Sequence, residues 1–296
     1  MTRILLTGKN GQIGWELLRT LATLGEVVAF SRNELDLGNL DLTRQAVREL
    51  KPTLIVNAAA YTAVDRAEEE SALAMTINGI SPGVLAEEAK RIGAPLIHYS
   101  TDYVFDGNKN DPYSEDDVTN PLNIYGKTKL AGEQAIQAVG GAYLIFRTSW
   151  VYGMRGNNFL SKILKIAEER DSLSVVNDQI GAPTWCRMVA EATAQIIAKI
   201  SCYSNPKLFF EEISGIYHLT AAGKTSWYGF AEAILANRSG LAAVPRLVPI
   251  STSKYASPAI RPQNSLLANA KLNSRFNIRL PVWTTGLELC MNEANY

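Results

Sequence analysis

The chain has 296 residues, with 29 Lys and Arg against 29 Asp and Glu, so its formal net charge is zero. This balance argues against nucleic-acid binding, which needs a basic surface. The longest N-terminal apolar run, Ile4–Leu6, is too short for a signal peptide or a membrane span, so no membrane partner is expected. The three cysteines, Cys186, Cys202 and Cys290, are scattered. Their spacing disfavours a disulfide framework or a zinc site and favours a reducing, cytoplasmic location.

Short apolar runs alternate with helical periodicity through the first half of the chain. The runs that predict buried strands are Arg3–Thr7, Val27–Phe30, Leu54–Asn57, Pro95–Ser100 and Tyr143–Thr148. The helical patterns between them cover Gln12–Leu24, Leu42–Leu50, Ser71–Arg91 and Tyr125–Ala138. Strands joined in this way by helices form right-handed βαβ units. The sequence therefore predicts an α/β fold built on a doubly wound, parallel, Rossmann-type sheet.

The pattern loosens after about residue 150. The predicted elements there are helices at Phe159–Glu169, Val189–Ile200 and Ser226–Asn237 and a short strand at Leu173–Val176. Residues Pro245–Pro262 are rich in proline and serine and are predicted to be irregular. We expect a main domain over residues 1–150 and a smaller, mainly substrate-binding domain over residues 151–296. The boundary is soft, because strands of the second part can join the main sheet.

Three glycines follow the first predicted strand. Gly8, Gly11 and Gly14 form a G-x-x-G-x-x-G pattern that opens the first helix. In this context the first glycine permits a tight turn, the second a close approach to a pyrophosphate, and the third helix–strand packing. The helix N-terminus adds free N–H groups for the anion. The alternative is a glycine-rich turn that binds nothing, but the strand and helix on either side favour an NAD(P)-binding domain over residues 1–150.

The end of the second strand bears on the choice of cofactor. An acidic residue there suits the ribose of NAD, whereas arginine suits a 2′-phosphate. Ser31 and Arg32 occupy this place, and a hydroxyl with a guanidinium favours NADPH, with NADH as the alternative. A solvent-facing Arg32 that touches no cofactor is the competing interpretation. Asp36 and Leu37 would then flank the adenine.

Tyr125 and Lys129 form a Y-x-x-x-K pair that shares one helix face. A lysine charge roughly 5 Å from the phenol would lower its pKa by about 2 units, towards the range of a general acid. Ser100 and Thr101 follow the fourth strand, at the sheet edge where such folds place ligands. The competing interpretations are a packed Tyr with a solvated Lys, and hydroxyls that only cap a turn. The motifs in this order favour catalysis.

These motifs together resemble the extended short-chain dehydrogenase/reductase family. Within that family the chain is similar to the dTDP-4-dehydrorhamnose reductases. The segments that carry the similarity are Asn57–Glu68, His98–Gly107, Pro121–Glu133, Phe146–Tyr152, Gly156–Phe159, Asn177–Thr184 and Arg261–Ser265. They extend through nearly the whole chain.

The resemblance implies that NAD(P)H reduces the C4 ketone of dTDP-4-dehydro-L-rhamnose. Tyr125 would give the proton, Lys129 would lower its pKa and hold the nicotinamide ribose, and Thr101 would tune the phenol beside Asp102. Other residues implied for the cofactor are Gln12 and Ile13 next to Gly11 at the pyrophosphate, and Ala60, Tyr61 and Thr62 beside the nicotinamide. Residues implied for the substrate are Thr101, Asp102, Trp150, Asn158 and Arg261. Asn78 resembles the helix Asn that organises a relay water in this family, and a surface Asn is its alternative.

One departure from the family concerns a metal. The resemblance suggests a magnesium-bridged dimer that uses a Glu of the first helix and an acidic pair after GAPT. Glu16 is present, but Trp185, Cys186 and Arg187 follow Thr184. Because magnesium requires oxygen ligands, we predict no metal site here and expect a Glu16–Arg187 salt bridge in its place. A monomer or a homodimer would then act on the small-molecule substrate.

Two other functions remain open. A nucleotide-sugar epimerase or dehydratase of the same fold would retain NAD+ and regenerate it in each cycle. A dehydratase also needs a carboxylate pair beside the strand-four hydroxyl, whereas Thr101-Asp102-Tyr103 supplies one carboxylate. A non-catalytic regulatory subunit that binds a dinucleotide is the second alternative. The presence of both Tyr125 and Lys129 favours an enzyme.

Overall fold

The computed structural model describes residues 2–238 and 244–293. Its strands are β1 (Arg3–Thr7), β2 (Glu26–Phe30), β3 (Leu54–Asn57), β4 (Leu96–Thr101), β5 (Tyr143–Thr148), β6 (Val151–Tyr152), β7 (Ser172–Val176), β8 (Ile180–Gly181), β9 (Thr184–Trp185), β10 (Gly215–His218), β11 (Thr225–Ser226) and β12 (Arg246–Ile250). Its α-helices are α1 (Gln12–Leu21), α2 (Leu40–Leu50), α3 (Val64–Ala67), α4 (Ser71–Met75), α5 (Ser81–Ile92), α6 (Ile124–Val139), α7 (Phe159–Glu169), α8 (Cys186–Ser201), α9 (Pro206–Glu212), α10 (Trp227–Ala236), α11 (Ala270–Phe276) and α12 (Trp283–Glu293).

A six-stranded parallel sheet forms the centre of the protein, in the order β10-β5-β4-β3-β1-β2. The chain passes from β1 outward to β2 and then returns to the other side of β1. This reversal opens a crevice at the carboxyl ends of β1 and β3, where folds of this kind bind their ligands. The predicted α/β, doubly wound Rossmann-type fold is confirmed.

The central strands are apolar because both of their faces are covered. Alternate residues of β1 point to opposite sides: Ile4 and Leu6 pack against α1 and α8, whereas Leu5 packs against α2, α5 and α6. A separate apolar cluster joins α7, α10 and α12 around Tyr152 and Phe230. Within the described ranges, no helix combines the length and the apolar composition needed to cross a bilayer.

The second half of the chain contributes to the central sheet and its helices as well as to the cluster around Tyr152 and Phe230. Strand β10 extends the main sheet beside β5, and α8 packs on α1. The boundary near residue 150 stays a prediction, as does the separate substrate-binding domain. The prediction that Pro245–Pro262 is irregular was wrong for its first part, because β12 pairs in parallel with β7. Pro249 is tolerated there because the two strands form a two-stranded sheet of their own, so the missing N–H faces no further strand.

The helix predicted over Ser71–Arg91 is continuous but irregular. It runs as α4, a π-helical segment at Thr76–Ile80, and α5. Pro82 lacks the N–H that would bond to the carbonyl of Asn78, which accounts for the irregular turn. That carbonyl points at Gly132 of α6, where a Cβ atom would lie 2.1 Å from it. The proline and the glycine together bring the Asn78 turn close to the helix that carries Tyr125.

Candidate active site

The glycine turn has the backbone that its sequence requires. Gly8 has φ +76°, and a Cβ atom there would lie 2.7 Å from the Ala59 nitrogen. At Gly14 a Cβ atom would lie 2.0 Å from the Gly8 carbonyl oxygen. Helix α1 begins directly after Gly11 with no side-chain cap, so its first N–H groups remain directed at the crevice. This open cradle fits the pyrophosphate of a dinucleotide.

A carboxylate shares the end of β2 with the two residues predicted to bind a 2′-phosphate. Glu34 Oε2 accepts hydrogen bonds from the Ser31 N–H over 2.7 Å and from its hydroxyl over 2.6 Å, and it pairs with Lys9 of the glycine turn over 2.7 Å. The bonds from Lys9 and Ser31 lower the pKa of Glu34 to about 2. Arg32 is exposed and lies 3.7 Å from Asp36. The sequence interpretation overlooked Glu34.

The segment after β3 is held by Asn78 of the π-helical turn. Its side-chain oxygen accepts the Tyr61 N–H over 2.8 Å, and its amide donates to the Tyr61 carbonyl over 3.0 Å and to Thr128 Oγ1 over 3.2 Å. Asn78 is buried, so the alternative of a surface Asn was wrong. Its amide fixes the turn of Ala60, Tyr61 and Thr62 beside α6. Leu37, expected near the adenine, is buried in the apolar cluster that also contains Tyr61.

Tyr125, Thr101 and Asp102 meet where β4 ends. The Thr101 hydroxyl donates to Asp102 Oδ1 over 2.9 Å and accepts the Tyr103 N–H over 3.2 Å. The ring of Tyr103 packs edge-on against Tyr125 at 5.7 Å. Burial raises the pKa of Tyr125 to about 12, while its hydrogen bond with Thr101 acts in the opposite direction. The phenol is therefore a protonated donor at neutral pH.

Lys129 does not have the effect on the phenol that the sequence predicted. Its side chain is buried, and Nζ donates to the Tyr99 carbonyl over 2.6 Å and lies 3.1 Å from His98 Nε2. Burial lowers the pKa of Lys129 to about 8, against the raising effect of Glu133. The predicted lowering of the Tyr125 pKa was wrong, because desolvation of the buried phenol raises its pKa and Lys129 is hydrogen-bonded to the Tyr99 carbonyl instead.

The residues expected near the sugar have firm contacts within the protein. Trp150 has φ +48° and stacks on Trp227 with 3.5 Å between ring centres. Asn158 caps α7 and donates to Gln12 Oε1 over 2.9 Å. Arg261 pairs with Asp65 over 2.8 Å and hydrogen-bonds Tyr103. Gln12 connects Asn158 to the glycine turn, and Tyr103 connects Arg261 to Tyr125. Substrate contact stays a prediction for Trp150, Asn158 and Arg261.

Comparison with known proteins supports the assignment that this geometry suggests. The family model described as RmlD substrate binding domain matches residues 1–296. The chain belongs to the RmlD family. It is 50% identical to dTDP-4-dehydrorhamnose reductase of Burkholderia thailandensis over 98% of each chain, and 45% identical to the enzyme of Escherichia coli K12 over 98% of this chain and 97% of the relative. A solved dTDP-4-dehydrorhamnose reductase from Bacillus anthracis, in complex with NADP, has a TM-score of 0.88 and 36% identity over 99% of this chain and 100% of that one.

At the place where the resemblance suggested a metal, this RmlD family member has an ion pair. Arg187 Nε lies 3.2 Å from Glu16 Oε2, and Arg19 approaches the same oxygen over 3.1 Å. The predicted Glu16–Arg187 salt bridge is confirmed. In residues 2–238 and 244–293, no three His, Cys, Asp or Glu side chains gather as a metal cluster would require.

Two charged residues behind the site were missed from the sequence. Glu133, one turn beyond Lys129 on α6, accepts two hydrogen bonds from Arg147 of β5 and one from Ser100. All three side chains are buried. Tyr125, Lys129 and Glu133 repeat at four-residue spacing and therefore share one face of α6. A further charged residue on that buried face was the sequence signal that could have indicated Glu133. Ser100 therefore hydrogen-bonds the Glu133–Arg147 ion pair, and Thr101 is the hydroxyl beside the phenol.

Proposed function

We propose that this protein reduces the C4 ketone of dTDP-4-dehydro-L-rhamnose to dTDP-L-rhamnose with NADPH. The observation that carries the proposal is the Tyr125 phenol, hydrogen-bonded to Thr101 at the carboxyl edge of a sheet whose glycine turn fits a dinucleotide. The names of the relatives supply the substrate, and the NADP-bound Bacillus anthracis structure supports the cofactor. The cytoplasmic location is part of the proposal and is consistent with free thiols at Cys186, Cys202 and Cys290.

Each catalytic side chain has a defined task in this reaction. NADPH supplies a hydride to the ketone carbon when bound. Tyr125 donates its proton to the carbonyl oxygen, a contribution of roughly 10²–10⁴-fold. Thr101 donates its proton to Asp102 and accepts the Tyr103 N–H, so its oxygen orients the Tyr125 phenol and does not donate to the ketone. Lys129 brings a positive charge beneath the site, and Asn78 fixes the turn at Tyr61 beside the nicotinamide position.

The cofactor contacts follow from the cradle described above. Gly8 and Gly14 allow the turn to pack against Ala59 and α1 against the turn, Gly11 is the glycine at which the pyrophosphate would approach, and the N–H groups of Gln12 and Ile13 lie at the start of α1. At the end of β2, the donors of Ser31 and Lys9 are bound to the Glu34 carboxylate, so the exposed Arg32 is the residue left for a 2′-phosphate. The substrate diphosphate and sugar would lie across the crevice, towards Trp150 and Arg261.

The deciding experiment is direct turnover. The keto-sugar nucleotide is generated enzymatically and mixed with this protein and either NADPH or NADH, and the sugar product is identified by NMR. Oxidation of NADPH with dTDP-L-rhamnose as the product is the expected result. Copurified NAD+ and a redox-neutral product would indicate an epimerase or dehydratase instead. Dinucleotide binding without turnover on this or related keto-sugars would favour the regulatory subunit.

A further inference from the structure

A buried chain of polar groups leads from the glycine turn to Lys129. The Thr7 hydroxyl lies 2.6 Å from Asn57 Oδ1, Asn57 Nδ2 lies 3.0 Å from His98 Nδ1, and His98 Nε2 lies 3.1 Å from Lys129 Nζ. All four side chains are at most 2% exposed. The chain crosses β1, β3 and β4 before it reaches α6. His98 has no task in the proposed reduction.

Two arrangements of the protons satisfy this chain, because a neutral lysine that donated to His98 Nε2 would receive no hydrogen bond from the ring. An ammonium group donates and cannot accept, so a charged Lys129 requires His98 Nε2 to be an acceptor. The neutral ring then carries its proton on Nδ1 and donates it to the oxygen of Asn57. If Lys129 is a neutral amine, Asn57 Nδ2 donates to Nδ1, and Nε2–H donates to the lysine. Half a turn of the Asn57 amide interconverts the two arrangements. The Thr7 hydroxyl accepts from Asn57 Nδ2 when Lys129 is charged and donates to Asn57 Oδ1 when it is neutral.

We propose that His98 is a positioning residue whose ring changes tautomer when Lys129 gains or loses a proton. It accepts a hydrogen bond from the charged lysine and donates one to the neutral lysine, so the buried amine has two partners in both states. The inference rests on the proposed function, because it assigns the lysine charge a use in reduction. It adds to that function a coupling to Thr7 and Asn57, whose neighbours Gly8 and Ala59 border the cofactor cradle.

The groups around Lys129 are consistent with this arrangement. Glu133 on the same helix raises the pKa of Lys129, but its carboxylate is itself bound to Arg147 of β5. Burial and the charge of Lys129 hold the pKa of His98 well below its usual range, so the ring is neutral at neutral pH. Tyr125, Asp102 and Tyr103 are further titratable groups at this edge of the sheet. A neutral ring can respond to the lysine only by moving its proton between nitrogens.

The decisive measurement uses the unmodified protein. The chain has two histidines, so ¹⁵N spectra of the imidazole nitrogens report both, and loss of one signal in His98→Gln assigns them. Between pH 6 and 10 we expect a neutral His98 ring that is Nδ1-protonated at the acid end and Nε2-protonated at the alkaline end. The midpoint should match the Lys129 titration observed with ε-¹³C-labelled lysine and assigned by Lys129→Met. A single tautomer throughout, or a cationic ring, would overturn the proposal.

Two near-isosteric variants separate positioning from a purely structural contribution. The Gln amide of His98→Gln reaches the Nε2 position, whereas the Asn amide of His98→Asn reaches only the Nδ1 position. The pKa of Lys129 should fall by about one unit, a tenfold change, in His98→Asn and remain near its wild-type value in His98→Gln. Equal pKa values for Lys129 in both variants would refute the inference. Because these spectra require no turnover, failure of the wild-type reductase assay would count against the proposed function alone.

Discussion

The hydroxyl of Thr101 donates a hydrogen bond to Oδ1 of Asp102 over 2.9 Å, and both side chains are buried. Burial raises the pKa of the Asp102 carboxyl to about 6, while hydrogen bonds from Ser265 and Thr101 oppose the shift. The hydrogen bond to this carboxylate fixes the Thr101 oxygen beside the phenol, at a cost in stability.

The Asp102 carboxylate should destabilise the folded protein at neutral pH. Because its folded pKa lies above the unfolded value, the native state loses stability as the pH rises through about 6. A shift of two units corresponds to about 3 kcal/mol, so Asp102→Asn should raise the melting temperature at pH 7.5. The gain should shrink between pH 6 and pH 4, where wild-type Asp102 becomes protonated. A gain that is independent of pH in thermal unfolding experiments would contradict this account.

Tyr125→Phe should lower kcat by roughly 10²–10⁴-fold, because it removes the general acid and leaves the ring packing intact. NADPH affinity, measured by fluorescence titration, should be unchanged. Thr101→Val is the matched control, since it removes the hydroxyl beside the phenol and retains the donor. It should reduce kcat by a smaller factor. Near-normal turnover in Tyr125→Phe would refute the assignment.

The sequence predicted the parts of the site that depend on local pattern. The glycine turn, the Tyr125/Lys129 pair and the strand-end Thr101 follow from spacing along one strand or helix, and they lie where they were expected. The sequence did not predict the partners of Lys129, because His98 and Tyr99 lie on β4 and only the packing of α6 over that strand brings them together. A charged residue in a buried strand, such as Arg147, indicates a buried partner without identifying it.

Glu34 should weaken the preference for NADPH. Its carboxylate already holds the donors of Ser31 and Lys9, so a 2′-phosphate placed there meets a like charge. Glu34→Gln removes the charge and retains the shape. We expect the kcat/KM for NADPH, divided by the kcat/KM for NADH, to rise about tenfold. This change corresponds to about 1.4 kcal/mol. Arg32→Ala is the companion variant and should lower that ratio. An unchanged ratio in both variants would place the 2′-phosphate elsewhere.

Gly132 should be intolerant of any side chain. A Cβ atom there would lie 2.1 Å from the Asn78 carbonyl oxygen, which is backbone and cannot rotate away. Gly132→Ala should force the π-helical turn away from α6, with an overpacking cost of about 1–3 kcal/mol. Asn78 holds Tyr61, which the proposed function places beside the nicotinamide, so the KM for NADPH should rise as well. Gly83→Ala is the control, because its Cβ would meet the Ala135 methyl at 3.0 Å and not the Asn78 backbone. Gly83→Ala should lower the melting temperature less than Gly132→Ala and leave the KM for NADPH unchanged. If both variants change that KM equally, the Asn78 turn does not position the segment at Tyr61 for the cofactor.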